Sequence, residues 1–142
     1  ALLARGQFGE DEVATVIQRT ADHPFLLQLI ASRLFESRDL GGTLDQVAVD
    51  EMVANFFSVD FQTLESEERA ILEEAAREGR RTPGELARSL GRSEEALAAD
   101  LFSLEMLGYL ARDADAYRVG NWFFERWLKR VAAERRDEAR LP

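Results

Sequence analysis

The chain is predicted to be mainly α-helical, with a helical unit over about 1–60 and a winged helix-turn-helix with a short β-hairpin over about 61–131. Three observations carry the prediction. Apolar residues recur at three- and four-residue spacing through most of the chain. Capping residues stand just before these stretches. Late in the chain, two alternating segments, Tyr109-Leu110-Ala111 and Tyr117-Arg118-Val119, flank Asp113-Ala114-Asp115, which suits a hairpin loop. The order helix, helix, helix, hairpin is that of the winged helix-turn-helix.

The first helix starts at Gly9-Glu10-Asp11-Glu12, whose acids favour the positive end of the helix dipole, and runs to about Thr20. Val13, Val16 and Ile17 give it one buried stripe. In the second, Asp22-His23 is a polar cap and Pro24 sits in the first turn of a helix reaching about Ser37. Gly41-Gly42 reads as a break. Thr43-Leu44-Asp45-Gln46 then has capping-box spacing for a third helix to about Phe57, burying Val47, Val49, Met52, Val53, Phe56 and Phe57. Residues 58–63 read as a linker.

In the second unit, Ser66-Glu67-Glu68 caps a helix to about Arg77, with Ile71, Leu72, Ala75 and Ala76 inward and Gly79 closing it. Thr82-Pro83-Gly84-Glu85 is a capping box with proline at the first helical position, opening a short helix through Leu90. Gly91-Arg92 is a tight turn, and Ser93 caps a helix with Leu97, Leu101 and Leu104 on one face, ending at Gly108. After the hairpin, a final helix begins near Asn121 and buries Trp122, Phe123, Trp127, Leu128 and Val131. Residues 132–142 are expected to fray.

Composition narrows the function classes. The 142 residues carry a net charge of −9, which opposes nonspecific attraction to nucleic-acid backbones. Residues 1–60 hold 4 basic and 10 acidic side chains, against 14 and 17 in the remainder, so the acidity is concentrated early. The absence of cysteine excludes disulfides, thiolate metal sites and cysteine nucleophiles. With His23 as the one histidine, the usual triads and zinc sites are excluded too. Acid pairs such as Glu67/Glu68 and Glu94/Glu95 are explained by helix starts, so no enzyme or metal site is expected. No apolar run has the length of a membrane span, and a cytoplasmic location is expected. The chain begins without methionine and reads as a piece of a longer protein.

Thr20-Ala21-Asp22-His23-Pro24-Phe25-Leu26-Leu27-Gln28 resembles the "GGHPFLLQ" helix that follows the ATPase core in STAND-type AAA+ ATPases. Tyr117-Arg118-Val119 followed by Trp122-Phe123-Phe124-Glu125-Arg126-Trp127-Leu128 is similar to the close of the winged-helix domain in that family. The resemblance spans nearly the whole chain. It implies a lid-like subdomain at 1–60, a winged-helix domain at 61–131 and a tail at 132–142. It further implies that Pro24 packs on the nucleotide base at a helix start that senses the phosphates, with His23 as the secondary candidate. The implied partners are an upstream ATPase core and other domains of the parent, with self-association open. The chain departs from the pattern where Ala21 and Asp22 replace glycines, and a carboxylate at 22 would face a nucleotide unfavourably unless it caps the helix. No G-x-x-x-x-G-K-[ST] occurs either. The chain therefore has no phosphate loop of its own; ATP or ADP with magnesium is implied for the parent alone.

Two surfaces remain as candidates. On the helix at the recognition-helix position, Glu95, Ala99, Phe102, Ser103 and Met106 lie opposite the leucine stripe, and the helix carries no basic residue. Acids repel DNA. Glu95, Phe102 and Met106 are therefore candidates for a protein interface, unless Phe102 and Met106 complete the domain's own core. The alternative is a DNA-binding winged-helix regulator using Arg80, Arg81, Arg88, Arg92, Arg112 and Arg118, but interspersed acids offer these arginines partners and favour a mixed-charge surface. Nucleic acid is the less favoured partner, and no membrane is expected. The basic residues Arg126, Lys129, Arg130, Arg135 and Arg136 suit the C-terminal turns of the last helix.

Overall fold

A computed structural model describes residues 9–21 and 23–140. These form eight helices and one two-stranded antiparallel hairpin, so the fold is mainly helical. Helices α1 (Glu10–Thr20), α2 (Pro24–Ser37), α3 (Leu40–Ala48) and α4 (Glu51–Gln62) come first. Then follow α5 (Ser66–Glu78), α6 (Pro83–Leu90), α7 (Glu94–Met106), β1 (Leu110–Asp113), β2 (Ala116–Val119) and α8 (Trp122–Ala139).

The expected break at Gly41-Gly42 is absent. Asp39 caps α3 by accepting from the Gly42 amide at 3.2 Å, and both glycines lie in the first turn beneath it. A Cβ at Gly42 would sit 2.5 Å from an Asp39 carboxylate oxygen, so glycine lets the cap fold down onto the helix. Thr43 is buried inside α3, with its hydroxyl 2.9 Å from that of Ser37, and is no cap. The helix expected to reach Phe57 is split at Asp50, whose carboxylate accepts from the Met52 and Val53 amides at 2.8 and 3.2 Å. Arg33 braces that carboxylate from α2 at 2.6 Å. The split rotates the helical face: Val47, Val53 and Phe57 are buried, whereas Val49, Met52 and Phe56 are exposed. Ile17 of α1 is exposed as well, because α1 packs on its neighbours through Val16 and Thr20.

The stretch 58–63 is not a linker. It continues α4 to Gln62, with Thr63 as the cap, and residue 60 lies within the helix. Phe61 is buried, and with Phe57 it packs on Phe124 and Trp127 of α8 at ring-centroid distances of 5.2–6.2 Å. One apolar cluster consequently runs from Val16 to Leu128. Phe124, absent from the expected core, is 3% exposed and central to it.

The following segment agrees closely with its local signals, except that Glu65 rather than Ser66 is the cap of α5, its amide donating to the Glu68 carboxylate at 3.1 Å. Ile71, Leu72, Ala75 and Ala76 are buried, and Gly79 closes α5 with a φ of 84°. Thr82 and Glu85 form the capping box of α6: the Glu85 amide donates to the Thr82 hydroxyl at 3.2 Å, and the Thr82 amide to the Glu85 carboxylate at 3.0 Å. Ser93 caps α7, accepting from the Ala96 amide at 3.1 Å. The hairpin pairs Leu110 with Val119 and Asp113 with Ala116. Arg81 adds an isolated bridge to Tyr117, with N–H···O distances of 2.9 and 2.7 Å. Helix α8 does not fray at 132 but continues to Ala139, and Arg135 bonds Glu73 of α5. Trp122 and Val131 are only partly buried. No helix among the described residues is long and apolar enough to cross a membrane.

Candidate functional site

Helix α2 starts at the expected place. Pro24 occupies its first turn and is exposed; His23 is the cap residue, with extended backbone (φ −66°, ψ 114°) and no side-chain cap bond. Asp22, expected to share the cap, lies outside the described residues. The His23 ring stands edge-on to Phe56 at 5.1 Å, and Phe56 stacks on Phe25 at the same separation. Burial lowers the His23 pKa below its ordinary value, with Asp60 pulling the other way. Its buried Nδ1 has no hydrogen-bond partner among the described residues.

His23 lines a cleft of about 600 Å³ with Asp60, Glu68, Ser103, Leu107 and Tyr109. The cleft joins the start of α2, the end of α4, the end of α7 and the entry to β1. Two polar bonds cross it or its wall. The Tyr109 hydroxyl donates to Asp60 at 2.8 Å; burial and this bond push its pKa far above the usual tyrosine range. The Asn121 amide donates to the Thr20 carbonyl at 3.1 Å, and that carbonyl also accepts from the His23 amide at 3.0 Å. The same Asn121 caps α8 through its carbonyl oxygen, which accepts from the Phe123 and Phe124 amides. Asp60, Tyr109 and Asn121 were not expected as site residues. Asn121 is legible as a cap, but a contact 101 residues away leaves no local trace.

On α7, Glu95, Phe102 and Met106 are all exposed, Phe102 and Met106 at 66% and 70%. Leu107 adds 62%. Phe102 and Met106 therefore do not complete the domain's own core, and the helix presents an apolar stripe with acids at its N-terminal end.

The arginines are mostly paired. Arg80 reaches Asp113 and Asp115 at 3.2 and 3.3 Å. Arg81 pairs with Glu74 at 3.2 Å, and Arg92 with Asp100 and Glu67 at 3.0 and 3.3 Å. Arg112 donates to the Tyr117 hydroxyl at 2.6 Å and lies 3.8 Å from Glu105. Arg88 and Arg118 make no ion pair among the described residues, and they sit on different elements, α6 and β2. The six do not form a continuous band of free cations.

No protein-family profile, curated protein or solved structure matches this chain.

Proposed function

We propose that this chain is a regulatory C-terminal portion of a STAND-type AAA+ ATPase. In this reading α1–α4 act as a lid over nucleotide held by an upstream core, and α5–α7 with the hairpin act as a winged helix relaying the nucleotide state through protein contacts. The observation that carries the reading is the double tie at the foot of α2. Thr20, at the end of α1, is bonded to Asn121, and Asp60 of α4 to Tyr109, so the elements on either side of the Pro24 helix start are fastened to α8 and the entry of the hairpin. ATP and ADP would favour different arrangements of these elements, which is a population shift. The Arg81–Tyr117 bridge supports the winged-helix reading, since it lays a short third strand beside the hairpin. Pro24 contacts the base, His23 lies nearby, and α7 docks on another domain through Glu95, Phe102 and Met106. The chain itself is read as non-catalytic, with ATP or ADP and magnesium belonging to the parent.

The DNA-binding alternative is disfavoured by charge. Glu94 and Glu95 open α7 and are exposed, and four of the six candidate arginines are already engaged by carboxylates. The test is hydrogen exchange on the chain together with the sequence that precedes it. Nucleotide should change protection across α2, β1 and α8, and Pro24→Ala should abolish that change. Identical nucleotide responses in both proteins would sink the proposal.

A further inference from the structure

A second surface, away from the cleft, has a different chemistry. Trp122, Arg126, Lys129 and Arg130 share one face of α8 at spacings of four, seven and eight residues. Arg19 reaches over from α1. Its guanidinium lies 4.3 Å from the Trp122 ring centroid, and that of Arg126 lies 4.5 Å from it. The α8 residues, with Val49, line a concavity of about 500 Å³. Its one acid, Glu125, is 3.7 Å from Lys129. Arg19, Arg126 and Arg130 make no ion pair among the described residues, as is also true of Arg88 and Arg118.

The ordinary explanation for cations on this helix was its C-terminal dipole. It holds for Arg136, in the last turn, but not for Arg126, Lys129 and Arg130, because α8 runs to Ala139 and these lie more than two turns before its end. The dipole acts only within the last turn. Like charges three and four residues apart repel along a helix, and among the residues lining the concavity only Glu125, beside Lys129, offsets that repulsion. The cation–π contact with Trp122 holds the Arg126 guanidinium at the concavity, so less freedom is lost when a ligand binds.

We infer that the Trp122–Arg126–Lys129–Arg130 concavity binds a small ligand carrying linked phosphates. A single carboxylate would neutralise one of these cations; linked phosphates can engage several at once, and the guanidinium fork matches their oxygens. The inference does not depend on the lid reading, since it uses neither Pro24 nor His23.

Inorganic tripolyphosphate is the probe, titrated while following tryptophan fluorescence and thermal midpoint. Binding should be saturable and submillimolar, should raise the midpoint, and should be about tenfold or more tighter than that of orthophosphate. The double variant Arg126→Gln/Arg130→Gln should keep its helical circular dichroism and lose about tenfold or more in affinity. A control double variant, Arg88→Gln/Arg118→Gln, should bind like the original. ATP bound with the same dependence on Arg126 and Arg130 would identify a nucleotide as one carrier of the group. No saturable binding of tripolyphosphate, equal binding by the Arg126/Arg130 variant, or equal loss in the control would overturn the inference. So would binding of a short single-stranded RNA without binding of tripolyphosphate, which would assign the surface to a nucleic-acid backbone.

Discussion

Asn121 donates its side-chain amide to the Thr20 carbonyl at 3.1 Å while its oxygen caps α8, so one side chain fastens the end of the first helix to the start of the last. Asn121→Ala removes both roles. The loss of a cap costs about 1 kcal/mol and the loss of a buried hydrogen bond about as much again, giving about 2 kcal/mol in urea unfolding. Asn121→Ser keeps a capping oxygen but is too short to reach Thr20, and should lose about half as much. Equal losses in the two variants would show that the cross-link contributes nothing.

The Tyr109–Asp60 bond, half-buried at 2.8 Å, is the second tie. Tyr109→Phe, Asp60→Asn and their combination form a double-mutant cycle. The expected coupling is about 1 kcal/mol, measured by chemical denaturation. Strict additivity would remove this bond from the account of how the two halves are joined.

His23 supplies a pH dependence whose sign follows from burial. The folded protein favours the neutral ring, so its titration midpoint lies below the ordinary 6.5. This stabilisation is fully present above pH 6.5, falls as pH drops from there to the folded midpoint, and is flat below it. Nuclear magnetic resonance of the one histidine reads the midpoint directly, and His23→Gln should flatten the stability profile in that window. A midpoint at or above 6.5 would mean that Asp60 outweighs burial.

Phe102 and Met106 project from α7 into solvent. Replacing both with alanine should change stability by no more than about 0.5 kcal/mol per site, as for surface residues. It should weaken docking on an adjoining domain, or self-association, as read by sedimentation. Loss of the fold would contradict both the exposure and the interface role.

Local signals carried the second half of the chain. The Thr82–Glu85 capping box, the Ser93 cap and the leucine stripe of α7 act within one or two turns, and all lie where their spacing places them. The first half misled where a local signal had a second meaning. Gly41-Gly42 reads as a break, but it makes room for the Asp39 cap. Asp50 interrupts an apolar pattern that runs on without a visible gap, so the helix division there left the apparent face wrong at Val49, Met52 and Phe56. The cleft was half legible. His23 and Pro24 stand in a recognisable pattern, whereas Asp60, Tyr109 and Asn121 join it only through long-range packing.

The dependence of α1, α3 and α4 on α8 also sets a timetable for synthesis. Thr20 is made 101 residues before Asn121, a delay of roughly 5 to 20 s at ordinary translation rates. Phe57 and Phe61 wait a shorter time, roughly 3 to 13 s, without Phe124 and Trp127 to cover them. The nascent chain thus exposes an aromatic surface that stays uncovered until its last helix has been made.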